Sequence, residues 1–286
     1  MKLDFRGPEI LGLIQRCLSE DIGPGDYSSL ASIPQGTLGS SRLILKQDGV
    51  VAGLELAEVI FDELSGGITW KWYAKDGDYL PAGSILAEAE GSVHTLLAGE
   101  RLMLNFMQRL SGVATQAKQA SDLVAGTNAK VLDTRKTTPG LRMLEKWAVA
   151  IGGGKNHRIG LYDMVMLKDN HNDSAGGITA AVERTKKYLM EHNLMLDIEV
   201  ETRNMSEVRE VLGLMGVKRL MLDNFTPEEC AVAVKEIAGK LEVEASGGIT
   251  LGNIRAYAES GVDFISLGSL THTVKSLDIS FKTKIK

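Results

Sequence analysis

Three short stretches in the last third of the chain decide its fold: RLMLD at 219–223, EVEAS at 242–246 and DFISLG at 263–268. Each is a brief apolar run that ends in a polar residue or a glycine, and a helical pattern of apolar residues follows the first two. LDIEVE at 196–201 begins the series, and the four starts lie 21 to 23 residues apart. That spacing fits one strand plus one helix, and repeated strand–helix units predict a parallel sheet.

Two earlier stretches, Ala129–Asp133 and Met164–Lys168, bring the predicted parallel strands to six. The intervening helices carry their own start and stop residues. Thr226-Pro227-Glu228-Glu229 predicts a helix start with a capping threonine, a first-turn proline and a capping glutamate. Thr250 is predicted to open the next helix and Gly261 to close it. Six strand–helix units in about 150 residues favour closure into an α/β barrel over an open, doubly wound sheet.

The first 110 residues follow a different pattern. An amphipathic helix is predicted over residues 10–18, and a strongly apolar one over 96–110. Between 37 and 90, short apolar runs alternate with turn residues, which is typical of antiparallel strands, with one helix near 54–64. We therefore predict an N-terminal α+β domain at 1–112, an α/β-barrel catalytic domain at 113–274, and a tail, 275–286, that packs back on the first domain.

The composition excludes several classes of protein. With 44% hydrophobic and 24% charged residues the chain can fill a core, and its net charge of −5 argues against general nucleic-acid binding. Two cysteines, Cys17 and Cys230, are too few for a disulfide scaffold and suit a reducing compartment. The sequence has no apolar run of about 18 residues and no signal-peptide pattern. We therefore expect a soluble, cytoplasmic protein that does not act at a membrane.

Five cationic residues come from two predicted strand ends and from the segment between them. They are Arg135, Lys136, His157, Arg158 and Lys168. Because the carboxyl ends of parallel strands meet at the same edge of a sheet, we expect these side chains to line one mouth. Such a gathering in an acidic protein predicts a strongly anionic ligand that carries carboxylates, phosphates or both.

Glycines at the last two strand ends predict a phosphate site. Ser246-Gly247-Gly248 leads a strand into a helix, and Gly268-Ser269 ends the next strand. Backbone N–H groups at such positions can bind a phosphate, and a side chain there would hold it away. The triple glycine at 152–154 fits neither a dinucleotide-binding nor a Walker A motif.

Carboxylates are few at the predicted mouth. Glu201 and Asp223 end strands there, with Asp169 and Glu199 nearby. Among so many cations they predict no transition-metal site, but they could take Mg²⁺ carried by a polyphosphate or bind sugar hydroxyls. The sequence also lacks the motifs of a hydrolase nucleophile.

These motifs, in this order and over essentially the whole chain, resemble the quinolinate phosphoribosyltransferase family. The resemblance rests on ERLMLNFMQRLSGVAT at 100–115, DTRKTTPG at 133–140, NHR at 156–158, LKDNH at 167–171, EVE at 199–201, LDNF at 222–225, EASGGI at 244–249 and GSLTH at 268–272. It implies an N-terminal open sandwich with an irregular, incomplete α/β barrel. It also implies the conversion of quinolinate and 5-phosphoribosyl 1-pyrophosphate to nicotinate mononucleotide, pyrophosphate and CO₂ in NAD biosynthesis.

The resemblance also assigns roles residue by residue. Around the quinolinate carboxylates it places Arg101, Arg135, His157, Arg158 and Lys168. Toward the phosphates of the donor it places Lys136, Ser246, Gly247, Gly268 and His272. It places Glu201 and Asp223 toward the ribose and toward a Mg²⁺ ion that is largely carried by the substrate. Catalysis is assigned to Lys136, Lys168, Glu201 and Asp223, in a homodimer whose N-terminal domains cover each other's barrel openings, so that Arg101 acts in the partner subunit's site.

Three alternatives remain at this point. The chain could be a paralogue on the same scaffold with another substrate, although it has every expected cation. It could be a phosphate-binding barrel aldolase or isomerase, with Lys168 as a Schiff-base lysine. It could also be a nucleotide-sensing regulatory protein that binds the donor without turnover.

Overall fold

The computed structural model describes residues 3–64 and 66–286. The chain forms two compact units. One consists of Met1–Lys118, Thr138–Gly153 and Thr273–Lys286, and the other of Gln119–Thr137 and Gly154–His272. We call them the N-terminal unit and the parallel-sheet unit.

The helices and strands follow one another along the whole chain. The helices are α1 Pro8–Ile22, α2 Tyr27–Ser32, α3 Leu54–Leu64, α4 Val93–Leu123, α5 Arg142–Ile151, α6 Asp169–Ala175, α7 Ile178–Glu191, α8 Met205–Leu212, α9 Pro227–Ile237, α10 Ile254–Glu259 and α11 Ser269–His272. The strands are β1 Leu38–Leu45, β2 Gly49–Val50, β3 Thr69–Trp72, β4 Tyr79–Leu80, β5 Ile85–Ser92, β6 Lys130–Leu132, β7 Val165–Leu167, β8 Ile198–Thr202, β9 Arg219–Asp223, β10 Glu242–Ser246, β11 Phe264–Ser266 and β12 Ile279–Ile285.

The N-terminal unit contains a four-stranded antiparallel sheet in the order β12-β1-β5-β3. Its central strand β1 alternates buried and less buried residues, which is the pattern of a sheet with one face on the core. The final strand β12 pairs along the whole of β1, from Gly39 opposite Ile285 to Leu45 opposite Ile279. The predicted run at 49–52 forms only the two-residue strand β2, which pairs with β4.

The helix predicted over 96–110 is the middle of a much longer one, α4, with 31 residues. Its last turns bury Ala114, Ala117 and Ala120. Alanine forms helices well but adds little hydrophobicity, so the apolar pattern underestimates the length. Within the described residues, no helix combines the length and the apolar character needed to cross a membrane.

The parallel-sheet unit contains six parallel strands in the order β6-β11-β10-β9-β8-β7, and all six were predicted. Among the described residues no strand pairing joins the edge strands β6 and β7, so the sheet does not close. The incomplete barrel implied by the family resemblance is confirmed. The full closure that the strand count alone favoured is wrong.

Two helix starts show how far local sequence rules reach. At α9 the capping box forms as predicted, because Thr226 and Glu229 each accept the other's backbone N–H with a side-chain oxygen. At α10 the predicted start is wrong, because the helix begins at Ile254 rather than Thr250. The Asn253 side chain accepts the N–H of Thr250 at 2.7 Å and holds residues 250–253 in a turn.

Candidate functional site

A cavity of about 620 Å³ opens at the carboxyl edge of the parallel sheet. Its lining comes from all six strands or the loops that follow them. The lining residues are Thr134, Arg135, Lys136, His157, Arg158, Met166, Lys168, Glu201, Met221, Asp223, Asn224, Glu244, Ser246, Gly247, Gly248 and Ser266. All five predicted cations are among them, as are the two predicted carboxylates, Ser246 and Gly247.

The guanidinium of Arg158 is set into the wall of the cavity. Its Nη1 donates to the carbonyl of Met164 at 3.3 Å, and Nη2 lies 3.6 Å from the sulfur of Met166. Burial, and next the positive charge of Arg135, lower the pKa of Arg158. Two guanidinium groups thus repel each other at this wall, and a bound anion would relieve that repulsion.

Lys168 projects from the end of β7 as the residue that caps α6. Its side chain is about half exposed, and Nζ lies 3.6 Å from an oxygen of Glu201. The ring of His171 accepts the backbone N–H of Lys168 at 3.0 Å. His171, which the sequence placed near the mouth, is exposed and supports this helix start.

The two carboxylates differ in their surroundings. Glu201 is buried at the end of β8, beside Lys168. Asp223 is half-buried and accepts a hydrogen bond from the side-chain amide of Asn224 at 2.7 Å. Burial raises the pKa of Asp223, and the charge of Lys168 partly opposes that shift.

Asn224 and Gly247 form a tight junction beside Asp223. Both have left-handed backbones, with φ of +59° at Asn224 and +91° at Gly247. A Cβ at Gly247 would lie 2.2 Å from the Asn224 side-chain oxygen and 2.9 Å from its backbone nitrogen. Only glycine fits at this position, so the loop after β10 depends on the loop after β9.

Gly268 and His272 lie beside Lys136. A Cβ at Gly268 would come within 3.0 Å of the His272 ring and 3.1 Å of the Lys136 side chain. The hydroxyl of Thr271 also donates to the backbone carbonyl of Lys136 at 2.8 Å. The structure thus brings together the three predicted phosphate ligands that come from the ends of β6 and β11.

The segment 156–158 is held by Asp133, the buried residue that follows β6. One oxygen of Asp133 accepts the backbone N–H of His157 at 2.8 Å, and the other accepts the Asn156 amide at 2.6 Å. Two hydrogen bonds to one buried carboxylate fix this loop where its side chains face the cavity.

Sequence reasoning named Glu199 and His157 but missed Glu244 and Arg219, which complete a group of buried charges at the floor of the cavity. Glu199, Glu244 and Arg219 lie on three adjacent strands with His157 beside the two glutamates. Glu244 sits at the centre of EVEAS and was read only as part of a strand. Glu242, Glu244 and Ser246 alternate along β10, so all three lie on one face of the strand. That alternation could have identified Glu244 as a residue on the same face as Ser246.

Arg101 belongs to the N-terminal unit, where it is exposed on α4. Its predicted role therefore stays a prediction.

An incomplete α/β barrel with a cationic cavity and glycine loops at its carboxyl edge defines a class, the enzymes that bind phosphorylated and carboxylated substrates. The particular family follows from comparison with known proteins. The family model "Quinolinate phosphoribosyl transferase, C-terminal domain" matches residues 113–282, and its N-terminal counterpart matches 26–111. The chain belongs to the quinolinate phosphoribosyltransferase family.

Individual relatives agree. The chain is 45% identical to the chloroplastic, carboxylating nicotinate-nucleotide pyrophosphorylase of Arabidopsis thaliana, over 96% of this chain and 82% of the relative. It is 42% identical to a probable enzyme of the same name from Bacillus subtilis, over 94% and 91% of the two chains. The crystal structure of NadC from Streptococcus pyogenes matches with a TM-score of 0.94 at 36% identity, over 100% of this chain and 99% of that one.

Proposed function

We propose that this protein converts quinolinate and 5-phosphoribosyl 1-pyrophosphate to nicotinate mononucleotide, pyrophosphate and CO₂, a step of NAD biosynthesis. The observation that carries the proposal is the cavity itself, where cations from three segments face two carboxylates and a glycine loop. Relatives over most of the chain length are named for this chemistry.

Quinolinate would bind at the wall formed by Arg135, Arg158 and Lys168, above His157. The substrate is a dianion, and each carboxylate can take a charge-assisted, bidentate contact from a guanidinium. Because Arg135 and Arg158 repel each other, as the lowered pKa of Arg158 indicates, a dicarboxylate removes an existing strain as it binds. A monocarboxylate would use fewer of these cations than a dicarboxylate.

The phosphoribosyl donor would bind across the other half of the cavity. Lys136, Gly268 and His272 lie close together there, and Ser246 and Gly247 offer a hydroxyl and backbone N–H groups. Glycine at 247 and 268 lets Asn224, and His272 with Lys136, pack directly against the main chain at these two loops.

The main task of the protein in this reaction is to position the two substrates, and it need not supply a nucleophile. The pyridine nitrogen forms a bond to the ribose C1 as the bond from C1 to pyrophosphate breaks, and pyrophosphate leaves with the electron pair. Glu201 and Asp223 would stabilise the positive charge that develops at the ribose. Lys136 and Lys168 would balance the negative charge of the departing pyrophosphate and of the carboxylates. The C2 carboxylate leaves as CO₂, its electron pair stays on a ring carbon beside the positive nitrogen, and a proton from solvent completes the product.

We also propose Mg²⁺ as the cofactor. Glu201 and Asp223 supply oxygen ligands, which suit Mg²⁺, and two carboxylates are enough for an ion that arrives on a pyrophosphate. Bound there, Mg²⁺ would neutralise charge on the pyrophosphate.

We further propose a homodimer that works in the cytosol. The exposure of Arg101 on α4 is compatible with a role in the partner subunit's site, and both cysteines are free, as expected in a reducing compartment. Co-expression of Arg101→Ala with Lys168→Ala tests the shared site, because a mixed dimer places both defects in one site and leaves the other intact. Recovery of roughly a quarter of wild-type activity is expected from random pairing. Background activity from mixed dimers would place Arg101 in its own subunit's site.

The proposed activity is tested directly by incubating the protein with quinolinate, the donor and Mg²⁺. CO₂ and nicotinate mononucleotide should form one to one, and nicotinate should not replace quinolinate. Efficient turnover of nicotinate would contradict the dicarboxylate site.

A further inference from the structure

A buried charge cluster lies under the cavity. It consists of His157, Glu199, Glu244 and Arg219, and both glutamates are fully buried. Nε2 of His157 lies 3.1 Å from an oxygen of Glu199 and 3.4 Å from an oxygen of Glu244. Nη1 of Arg219 lies 3.1 Å from that same Glu244 oxygen. We call these four residues the floor cluster.

Strand register brings the floor cluster together. Glu199 on β8 lies opposite Arg219 on β9, and Arg219 lies opposite Glu242 on β10. Residues two apart on a strand share a face, so Glu199 and Glu244 stand on the same face as Glu201 and Ser246 of the cavity. By the same register Glu244 lies opposite Met221, which lies opposite Glu201, so Glu244 lines the floor of the cavity with His157. Glu199 and Arg219 lie one step deeper.

The ring of His157 links these buried glutamates to the cavity wall. Its Nε2 faces the two glutamates, while its Nδ1 accepts the backbone N–H of Arg158 at 2.7 Å. The two ring nitrogens thus join buried carboxylates on one side to the main chain of Arg158 on the other. Asp133 holds the backbone N–H of His157 independently.

We infer that Glu199 and Glu244 are positioning residues for the quinolinate site: they fix the imidazole of His157, which fixes the main chain of Arg158 and hence the place of its guanidinium. This inference rests on the proposed function. It gives His157 a task in orienting Arg158, in addition to the substrate contact that the family resemblance implies.

Protonation of the ring competes with this arrangement, because a second ring proton would occupy Nδ1 and end its contact with the Arg158 N–H. Burial opposes a charged imidazole, but the hydrogen bonds and charges of Glu199 and Glu244 outweigh it and raise the pKa of His157 to about 9. The contact with the Arg158 N–H needs a lone pair on Nδ1, so in this geometry the ring proton is on Nε2. Burial, and next the charge of Glu244, raise the pKa of Glu199, which therefore competes with the ring for that second proton.

A metal ion is a poorer occupant of the same place. Ligand atoms of His157, Glu199 and Glu244 lie within 4.8 Å of one another, which is close enough to hold an ion. Arg219, however, already contacts Glu244, and its guanidinium is packed 4.0 Å over the ring of Phe264. The positive charges of Arg219 and of one further proton already neutralise the two carboxylates. No negative charge then remains to bind a divalent cation.

The test uses Glu199→Gln and Glu244→Gln in the full-length protein, with Glu242→Gln as the matched control. Glu242 binds the same Arg219 from the same strand as Glu244, at 3.1 Å, but makes none of the His157 contacts. The first two variants should raise the KM for quinolinate roughly tenfold or more, because misplacing a binding group by about 1 Å can cost up to about a hundredfold. The KM for the donor should stay within about twofold, and Glu242→Gln should leave both KM values within about twofold.

A second measurement needs no turnover. The amide proton of Arg158 should resonate far downfield in the NMR spectrum of the wild type, because it donates to a ring nitrogen at 2.7 Å. Glu199→Gln and Glu244→Gln should move that resonance, and Glu242→Gln should not. If quinolinate is not turned over at all, the proposed function fails, while this measurement still decides the role of the two glutamates.

Several outcomes would overturn the inference. An unmoved Arg158 resonance, or equal rises in both KM values, would show that the glutamates only stabilise the unit. Stoichiometric zinc or manganese in the purified protein, lost in Glu199→Gln, would show a metal site instead. If Glu199→Gln is not recovered folded, Glu199→Asp replaces it, since it keeps the charge and moves the oxygens away from His157; an unchanged quinolinate KM in that variant would also contradict the inference.

Discussion

The buried face of the antiparallel sheet and the inner face of the parallel sheet are built from different chemistry. In the N-terminal unit, the residues without exposure on β1 and β5 are Leu43, Leu45, Leu86, Ala87 and Ala89, and Ser41 is also buried. On the inner face of the parallel sheet stand Glu199, Glu244 and Arg219, with cavity charges in the next layer. The first sheet gains stability from apolar burial, whereas the second uses its interior to hold charges in place for a ligand.

The N-terminal unit also buries a charge, but it does so with a complete set of partners. Glu145 is fully buried and contacts Arg109 at 2.7 Å, and its other oxygen accepts the N–H of Thr138. In the parallel-sheet unit, Arg158 instead sits near Arg135, a like charge. A buried carboxylate whose hydrogen bonds are made within the fold is typical of a structural role, whereas like charges at a cavity wall are typical of an anion-binding site.

The largest expected effect is a loss of stability from a substitution in the antiparallel sheet. Leu43→Ala should lower the free energy of unfolding by about 2–5 kcal/mol, because it leaves a cavity in a fully buried position. Leu38→Ala on the same strand, where the leucine is mostly exposed, is the control and should cost under about 1 kcal/mol. Thermal and urea unfolding measure both. Equal losses from the two variants would mean that burial does not govern this sheet.

The next effect separates binding from stability. Arg158→Ala should weaken quinolinate binding by about 1.5–3 kcal/mol, roughly a ten- to hundredfold rise in Kd, through loss of a charge-assisted contact. The melting temperature should change little, since the repulsion with Arg135 is removed as well. Arg184→Ala is the control, because Arg184 is a surface arginine that also bonds a backbone carbonyl. Titration calorimetry measures the Kd for quinolinate, and scanning calorimetry measures the melting temperature. A large fall in melting temperature with an unchanged Kd would show that Arg158 has a structural role instead.

A third effect probes the glycine loop. Gly247→Ala should weaken donor binding about tenfold, because its Cβ would displace Asn224, which holds Asp223. Gly239→Ala is matched for backbone strain, with φ of +75° and open space around its Cβ, so it should leave donor binding unchanged. Gly268→Val should weaken donor binding while leaving quinolinate binding nearly intact. Undiminished donor affinity in Gly247→Ala and Gly268→Val would place the phosphates elsewhere.

The smallest effect concerns pH. The pKa of His157 is raised to about 9 in the folded protein, so its contribution to stability is complete below pH 6.5 and is lost as the pH rises through 9. Between those values the melting temperature should fall by a few degrees. His157→Asn should remove the part of the slope that comes from this residue. An identical slope in that variant would assign the titration to other groups.

Much of the site was predictable because its residues follow local signals. Lys168 comes directly after β7, Asp223 is the last residue of β9, and Arg135 follows β6 within three residues. Strand ends in a parallel sheet share an edge. Gly247 was predictable for the same reason. The roles drawn from the family resemblance, including those of Arg101 and Mg²⁺, remain predictions.

What the sequence by itself determined is the kind and order of the elements, because apolar period, turn residues and helix caps act within a few residues of one another. What only the tertiary structure decided is which distant groups meet. The pairing of β12 with β1, the gap between β6 and β7, and the meeting of Glu199 and Glu244 around His157 all depend on strand register and depth of burial. Contacts between residues far apart in the chain must overcome the entropy of closing long loops, and only the packing of the whole unit selects them.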